Sequence, residues 1–234
     1  MIKIALMASG RGSNVLNLLT IANNLFQVKI PLVIINNRDS NLPEEIKSLQ
    51  LKCQPDCKIV PFHADDLTYL TLFKEYDIQW CFLAGFMKLM SGDFLQYFKR
   101  TKIVNGEMEE FYQVVNIHPS LLPKYPGLNA YEKSFKAEEK VNGVTLHFVN
   151  EKMDEGPIIN QMEFKREIFD TWDSFLAKGK NCEWKLYGDF LKKLDRDQIH
   201  DPSIFRTLIL KEKNSHQHQV FWFFLKKNLK NIMS

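Results

Sequence analysis

The sequence predicts an α/β protein with a Rossmann-like, mostly parallel sheet that carries helices on both faces. Short runs of aliphatic and aromatic residues alternate with stretches in which apolar residues recur at helical spacing. Runs such as IPLVII are apolar throughout, which is typical of parallel strands that are buried on both faces. The length of 234 residues fits one sizeable domain, or one domain with an appendage.

The elements follow one another in a regular order. The first strand is expected at Ile2–Ala8, and the apolar residues of Val15–Ile21 predict the helix that follows it. Further strands are expected in IPLVII, KIVPF, WCFLAG and VVNIH, with helices through Leu67–Phe73 and Ser91–Phe98, and a half-buried strand at Val144–Val149. Ligands of such sheets gather at the carboxyl ends of the strands. The segments SGRGSN, AGFMK and NIHPS, which follow the first, fourth and fifth strands, are therefore candidates for a site.

Composition excludes several classes of function. A formal charge of +3 is too small to predict a nucleic-acid or membrane partner, although it suits an anionic substrate. The four cysteines, at positions 53, 57, 81 and 182, form no CxxC pair and have no metal-ligand spacing, so reduced thiols are expected. No apolar run reaches membrane-spanning length, and the first run is too short for a signal peptide. We therefore expect a cytoplasmic protein that needs no metal.

The Gly-rich turn after the first strand has two interpretations. Gly10 and Gly12 permit a tight turn that presents backbone N–H groups at a helix start, where phosphate binds readily, and Arg11 would add charge. The turn lacks the GK[ST] ending of a P-loop and does not complete GxGxxG. The alternative is a plain strand-to-helix turn that is capped by Ser13 or Asn14.

The stretch NIHPSLLPKYPGL contains a candidate catalytic pair. Asn116 and His118 are two residues apart at a strand end, so their side chains share one face. An amide beside an imidazole can stabilise a developing oxyanion and exchange a proton near neutral pH. The alternative is a hydrogen-bonded histidine before a proline-rich connector. Asp154 lies in a later turn, where an aspartate is usually solvated, but close to His118 it would favour the imidazolium.

Four segments, LAGFMKLMS, NIHPSLLPKYPGL, GVTLHFV and MDEGPII, closely resemble the folate-dependent formyltransferases of the glycinamide ribonucleotide type. The LLPKYPGL continuation is specific, since methionyl-tRNA and sugar N-formyltransferases usually differ after the histidine. The similarity runs from Ile2 to about Leu191. It implies a catalytic domain over residues 1–191 and a C-terminal extension of unknown role over residues 192–234.

The resemblance also implies roles for individual residues. Asn116, His118 and Asp154 match the catalytic trio of the family. The Gly-rich turn matches the segment that holds the substrate phosphate, and Glu183 matches a glutamate that binds the ribose hydroxyls. The complete substrate set is Gly10, Arg11, Gly12, Ser13, Asn14, Met87, His147, Lys180 and Glu183. The folate pterin is expected on backbone groups of one loop and against a second segment, which together comprise Phe86, Met87, Lys88, Leu89, Met90, Asn150 and Asp154.

The reaction implied by the resemblance is transfer of a formyl group from 10-formyltetrahydrofolate to the amine of glycinamide ribonucleotide in purine biosynthesis. It needs neither a metal nor a covalent enzyme intermediate. The expected partners are the phosphorylated ribonucleotide and the folate alone, and the expected state is a monomer or homodimer. Three alternatives stay open: a sugar-nucleotide N-formyltransferase, a formyltetrahydrofolate deformylase, and a folate-binding relative without activity.

Several features depart from the family pattern. The segment between Phe98 and Val114 is longer than the usual link, and its charge predicts an exposed excursion. Trp184 stands where the family more often has histidine, and Gly188 replaces a common proline. Near the end of the chain, the aromatic run Val220–Leu225 is expected to pack on the domain surface or at a dimer contact, in preference to a membrane surface.

Overall fold

The computed structural model describes residues 1–61, 64–104 and 107–197. Its strands are β1 (Ile2–Ala8), β2 (Val28–Ile35), β3 (Asp56–Ile59), β4 (Trp80–Leu83), β5 (Lys99–Val104), β6 (Glu107–Tyr112), β7 (Val114–His118), β8 (Val141–Phe148) and β9 (Ile158–Lys165). Seven of them form one sheet in the order β3-β2-β1-β4-β7-β8-β9. The first five strands of that order are parallel, and β8 and β9 are antiparallel to their neighbours. The predicted mostly parallel sheet is confirmed.

The order of the strands determines where ligands can bind. β1 lies between β2 and β4, so the chain turns to opposite sides of β1 at this point of the sheet. A crevice opens outside the carboxyl ends of the strands at such a switch point. Met7 near the end of β1 pairs with Leu83 at the end of β4, which brings the Gly-rich turn next to the AGFMK segment.

Helices cover both faces of the sheet. They are α1 (Ser13–Ala22), α2 (Leu42–Ser48), α3 (Asp66–Glu75), α4 (Gly92–Tyr97), α5 (Ala130–Lys136) and α6 (Trp172–Asp197). α1 and α6 pack so closely that a Cβ at Gly188 would lie 2.7 Å from the Ile21 Cδ1 atom. On the other face, Phe73 of α3 makes edge-on ring contacts with Phe94 of α4 and with Phe98.

The long segment between α4 and β7 is a two-stranded antiparallel hairpin made of β5 and β6. It is separate from the main sheet. The Lys99 ammonium lies 2.8 Å from the Glu110 carboxylate across the two strands. The Phe111 ring packs edge-on against Phe148 of β8, with 5.7 Å between ring centroids, and so attaches the hairpin beside β8. The predicted excursion is therefore an ordered ribbon.

α6 continues past Leu191 to Asp197, and Leu194 is fully buried. Residues 198–234, including the aromatic run Val220–Leu225, lie outside the described residues, so the division at residue 191 stays a prediction. None of the helices within the described ranges is both long and apolar enough to span a bilayer.

Asp195, in the last turns of α6, fastens this helix to the start of β2. Its Oδ1 atom accepts hydrogen bonds from three successive backbone N–H groups, those of Phe26 at 2.9 Å, Gln27 at 2.6 Å and Val28 at 3.2 Å. Asp195→Ala removes the shared acceptor and is expected to lower the free energy of unfolding by about 2 kcal/mol. Urea denaturation measures this loss. The matched control Asp189→Ala, exposed on the same helix, should change stability little, and equal effects of the two substitutions would contradict the prediction.

Candidate active site

The pairing of β7 with β8 builds the centre of the candidate site. Asn116 pairs with His147 and His118 with Thr145 in antiparallel register, so both histidines lie at one end of the sheet. His118 and His147 are buried, at 4% and 2% exposure, and Asn116 is half-buried. The structure thus brings together an amide and two imidazoles that are 31 residues or less apart in the chain.

Asp154 completes this cluster. Its proximity to His118 was expected from the family resemblance and not from any local sequence feature. Its Oδ2 atom lies 3.2 Å from Nδ1 of His118 and accepts a 2.7 Å hydrogen bond from the Gly127 backbone N–H. The other ring nitrogen of His118, Nε2, lies 2.8 Å from the Tyr125 carbonyl oxygen. Both partners of the ring are acceptors, and only the doubly protonated imidazolium donates to both.

The loop that carries Asp154 is shaped by two unusual positions. Asp154 itself has a left-handed backbone, with φ of 55°. A Cβ at Gly156 would overlap the carbonyl oxygen of Phe148, so only glycine lets the chain return this closely to the end of β8. The close return places the Asp154 carboxylate between His118 and His147.

His147 is held in a defined neutral form. Burial lowers its pKa, and the repulsion of His118 adds to this, whereas the Phe148 carbonyl and Asp154 act in the opposite direction with smaller effect. Nδ1 lies 2.8 Å from the Phe148 carbonyl oxygen and therefore carries the proton. Nε2 then accepts the Asn116 amide N–H at 3.3 Å. The 3.7 Å approach of Nε2 to Asp154 is thus no ion pair.

The Gly-rich turn leads into α1, but neither Ser13 nor Asn14 caps the helix as the alternative interpretation of this turn expected. Gly12 is the N-cap residue, with a left-handed φ of 76°, and no side chain caps the helix. The Asn14 side chain is buried and donates a 2.7 Å hydrogen bond to Glu183. Arg11 is exposed. The backbone N–H groups of the first helical turn are therefore left without a side-chain cap, and the amide expected to cap them anchors α6.

Ser9 joins this turn to the second loop of the crevice. Its backbone N–H donates to the Gly85 carbonyl at 3.1 Å, and its hydroxyl accepts the Met87 N–H at 2.9 Å. Within residues 86–90, the side chains of Phe86 and Met90 point into the core, and those of Met87 and Leu89 are exposed. Phe86 and Met90 can therefore face a ligand only through their backbone atoms.

The remaining predicted residues lie in three parts of the structure: against α3, in the loop before Asp154, and on α6. The Lys88 ammonium donates to the Ala64 carbonyl and lies over the Tyr69 ring, so it faces α3. The Asn150 side chain accepts the Lys152 N–H at 3.0 Å and thereby shapes the loop before Asp154. Lys180 and Glu183 of α6 bond each other, with Nζ–Oε2 of 2.9 Å. Neither Lys88 nor Asn150 touches the histidine cluster through these bonds.

Several contributors carry too little local signal to be found from the sequence. Tyr131 of α5 donates its hydroxyl to Glu183 at 2.7 Å across 52 positions of sequence. Ser9 precedes the glycines and resembles any turn residue. Tyr125 and Gly127 lie inside the recognised NIHPSLLPKYPGL block, but they act through backbone atoms, which side-chain identity does not reveal.

Comparisons with known proteins agree with this geometry. A family model described as formyl transferase matches residues 2–191. The chain belongs to the formyl transferase family. A phosphoribosylglycinamide formyltransferase of Bacillus subtilis (strain 168) is 28% identical over 198 residues, which are 82% of this chain and 94% of the relative. The crystal structure of phosphoribosylglycinamide formyltransferase from Bacillus halodurans superposes with a TM-score of 0.69 at 33% identity, covering 82% of this chain and 94% of that one.

A second kind of relative shares part of the domain. A formyltetrahydrofolate deformylase of Synechocystis sp. (strain ATCC 27184 / PCC 6803 / Kazusa) is 30% identical over 155 residues, and this match covers 66% of the chain but half of the relative.

Among the described residues of the present chain, no group of three or more His, Cys, Asp and Glu side chains is arranged to hold a metal ion.

The neutral state of His147 has a consequence for stability at acid pH. Its pKa is lowered in the folded state, so the unfolded chain takes up the proton first, near the ordinary value of about 6.5. The folded state should therefore lose stability as pH falls below about 6.5. We expect the thermal midpoint of the wild type to fall more steeply below this pH than that of His147→Gln.

Titration of the imidazole by NMR provides a direct check of the same assignment. The groups that face His147 are Asp154 and His118, so their titrations must be followed in the same experiment. We expect a neutral ring at pH 7 with its proton on Nδ1. A His147 ring that is charged at pH 7 would refute the assignment.

Proposed function

We propose that this chain transfers the formyl group of 10-formyltetrahydrofolate to the amine of glycinamide ribonucleotide, a step of purine biosynthesis. The observation that carries the proposal is the cluster of half-buried Asn116, buried His118 and Asp154 at the end of β7. An amide, an imidazolium and a carboxylate in this arrangement suit the attack of an amine on a carbonyl carbon. The named relatives with this domain support the same acceptor.

The acceptor would lie along the crevice with its phosphate at the Gly-rich turn. Gly12 starts α1, and the N–H groups of Ser13 and Asn14 are in the first turn, where the helix dipole favours an anion. Glu183 and Lys180 follow on the side of α6, where they would receive the ribose and the phosphate. The glycinamide end would then point toward β7, and the folate would lie against the 86–90 loop.

In the chemical step, the amine nitrogen attacks the formyl carbon and the carbonyl electron pair moves onto oxygen. Asn116 keeps one amide hydrogen on His147 Nε2 and can donate the other to this oxyanion. Because His147 is neutral, it accepts from the Asn116 amide and so determines the amide's orientation. The positive charge on His118 stabilises the same oxygen.

For this role, His118 must exchange one of its hydrogen-bond partners. Nδ1 is directed at Asp154, so Nε2 is the nitrogen that reaches the formyl oxygen, and the Tyr125 carbonyl now occupies it at 2.8 Å. We propose that the oxyanion replaces this carbonyl. The exchange favours the transition state, because a full negative charge is a stronger acceptor than a peptide oxygen.

Proton transfer completes the reaction. The attacking nitrogen becomes an ammonium, loses a proton, and the folate nitrogen gains one as the carbon–nitrogen bond to the folate breaks. Asp154 is the proposed relay, since its carboxylate is next to His118 and is held by the Gly127 N–H. The oxyanion then re-forms the carbonyl of the formylated product, and the enzyme returns to its starting protonation.

His118→Asn and Asp154→Asn should retain the fold and reduce kcat about 100- to 1,000-fold, the typical loss when one oxyanion donor is removed. Steady-state rates with circular dichroism of each variant measure this. Asp173→Asn is a matched control, because Asp173 is exposed at the start of α6, and it should keep wild-type rates. Wild-type kcat in a folded His118→Asn protein would overturn the proposed mechanism.

The acceptor is tested by offering glycinamide ribonucleotide, an amino-sugar nucleotide and water separately with 10-formyltetrahydrofolate. Absorbance of the released tetrahydrofolate follows each reaction. We expect rapid turnover with glycinamide ribonucleotide alone. Turnover only with the amino-sugar nucleotide would instead identify a sugar N-formyltransferase, and turnover only with water would identify a deformylase.

A further inference from the structure

Glu183 is a buried carboxylate whose hydrogen-bonding positions are all in use. Its side chain is 3% exposed. Oε1 accepts from the Tyr131 hydroxyl at 2.7 Å and from Lys180 Nζ at 3.1 Å, and Oε2 accepts from the Asn14 amide at 2.7 Å and from Lys180 Nζ at 2.9 Å. A carboxylate has about four lone-pair positions, so no further donor can bind without displacing one of these.

The three partners differ in exposure. Tyr131 and Asn14 are buried, each on a different helix, and each bonds a different oxygen of Glu183. The Lys180 side chain is 41% exposed and bridges both oxygens. Lys180 can therefore leave without opening the core, and its departure frees one position on each oxygen. Two neighbouring hydroxyls of a sugar need one position on each oxygen.

The position of the Tyr131 hydroxyl depends on a glycine of α6. A Cβ at Gly179 would overlap the phenol oxygen of Tyr131, so the hydroxyl reaches Glu183 only because α6 has a glycine there. Burial and the neighbouring carboxylate raise the pKa of Tyr131, so the phenol stays a hydrogen-bond donor. Edge-on packing against Phe175, at 6.0 Å between ring centroids, fixes the ring.

We propose that Tyr131 is a positioning residue for the sugar of the acceptor. Its hydroxyl, with the Asn14 amide, holds the Glu183 carboxylate so that the two positions now covered by Lys180 are presented to a vicinal diol. The ligand class is a 5-phosphorylated ribofuranose, whose phosphate attracts the displaced Lys180. This inference rests on the proposed function, which places the acceptor in the crevice. It adds a residue that makes the site prefer ribose over 2-deoxyribose.

Binding of methyl β-ribofuranoside 5-phosphate and its 2-deoxy counterpart, measured by calorimetry without folate, tests this role. The wild type should bind the ribose form about 10- to 100-fold more tightly, since one hydrogen bond to a charged group is lost in the other. Tyr131→Phe removes a single oxygen, and the preference should fall to about threefold or less. A role in packing alone would weaken both ligands equally and leave their ratio unchanged, and that result would overturn the proposal.

Two further variants keep the test decisive. Tyr76→Phe removes a phenol that bonds Asp56 far from α6, and it should keep the wild-type ratio. Gly179→Ala retains the Tyr131 hydroxyl but displaces it, and it should reduce the ratio as Tyr131→Phe does, so it serves if that variant does not fold. A wild-type ratio in folded Gly179→Ala, or no preference in the wild type, counts against the proposal.

Turnover of glycinamide ribonucleotide by the wild type, measured alongside, separates this inference from the proposed function. Turnover together with an unchanged sugar preference in Tyr131→Phe refutes the role of Tyr131 only. Loss of the preference in a protein that does not formylate glycinamide ribonucleotide supports the role of Tyr131 and refutes the acceptor.

Discussion

The antiparallel pairing of β7 with β8 is the constraint on which the candidate site depends. The preceding strands of the sheet are parallel, and in a sixth parallel strand the last residues would have lain beside the end of β7. The reversal instead places His147, near the end of β8, opposite Asn116. It also sends the chain out at Phe148, which pairs with Val115. The turn that ends at Gly156 then brings the Asp154 carboxylate to His118. Register and reversal together bring distant residues within hydrogen-bonding distance.

Burial gives the two histidines of this cluster different roles. His147 has lost its hydration and stays neutral, so it serves as a hydrogen-bond acceptor that orients Asn116. His118, at similar exposure, has one ring nitrogen 3.2 Å from the Asp154 carboxylate and the other 2.8 Å from the Tyr125 carbonyl oxygen. The two histidines therefore differ in their hydrogen-bond partners: His147 accepts the Asn116 amide, and His118 faces an acceptor on each side.

Much of this arrangement could be predicted from the sequence, for identifiable reasons. Continuous apolar runs such as IPLVII predicted buried parallel strands. Asn116 and His118 were singled out by the family resemblance of the NIHPSLLPKYPGL block, since the residues alone left a plain strand-end histidine open. The cap of α1 could not be predicted, because Asn14 satisfies the preference of a helix start equally well, and only tertiary packing directs its amide to Glu183. Tyr131 was missed for the same reason. The assigned roles of the site residues stay predictions.

α6 contacts two parts of the candidate site and the start of β2 along one continuous helix. Glu183 faces the start of α1, Tyr187 one turn later donates to the carbonyl of Leu83 where β4 ends, and Asp195 holds the start of β2. An α-helix rises about 1.5 Å per residue and hardly stretches. The helix therefore fixes the distance between the buried Glu183 carboxylate and the loop after β4. Under the proposed function, an acceptor that is longer or shorter than this distance would bring its amine to the wrong place.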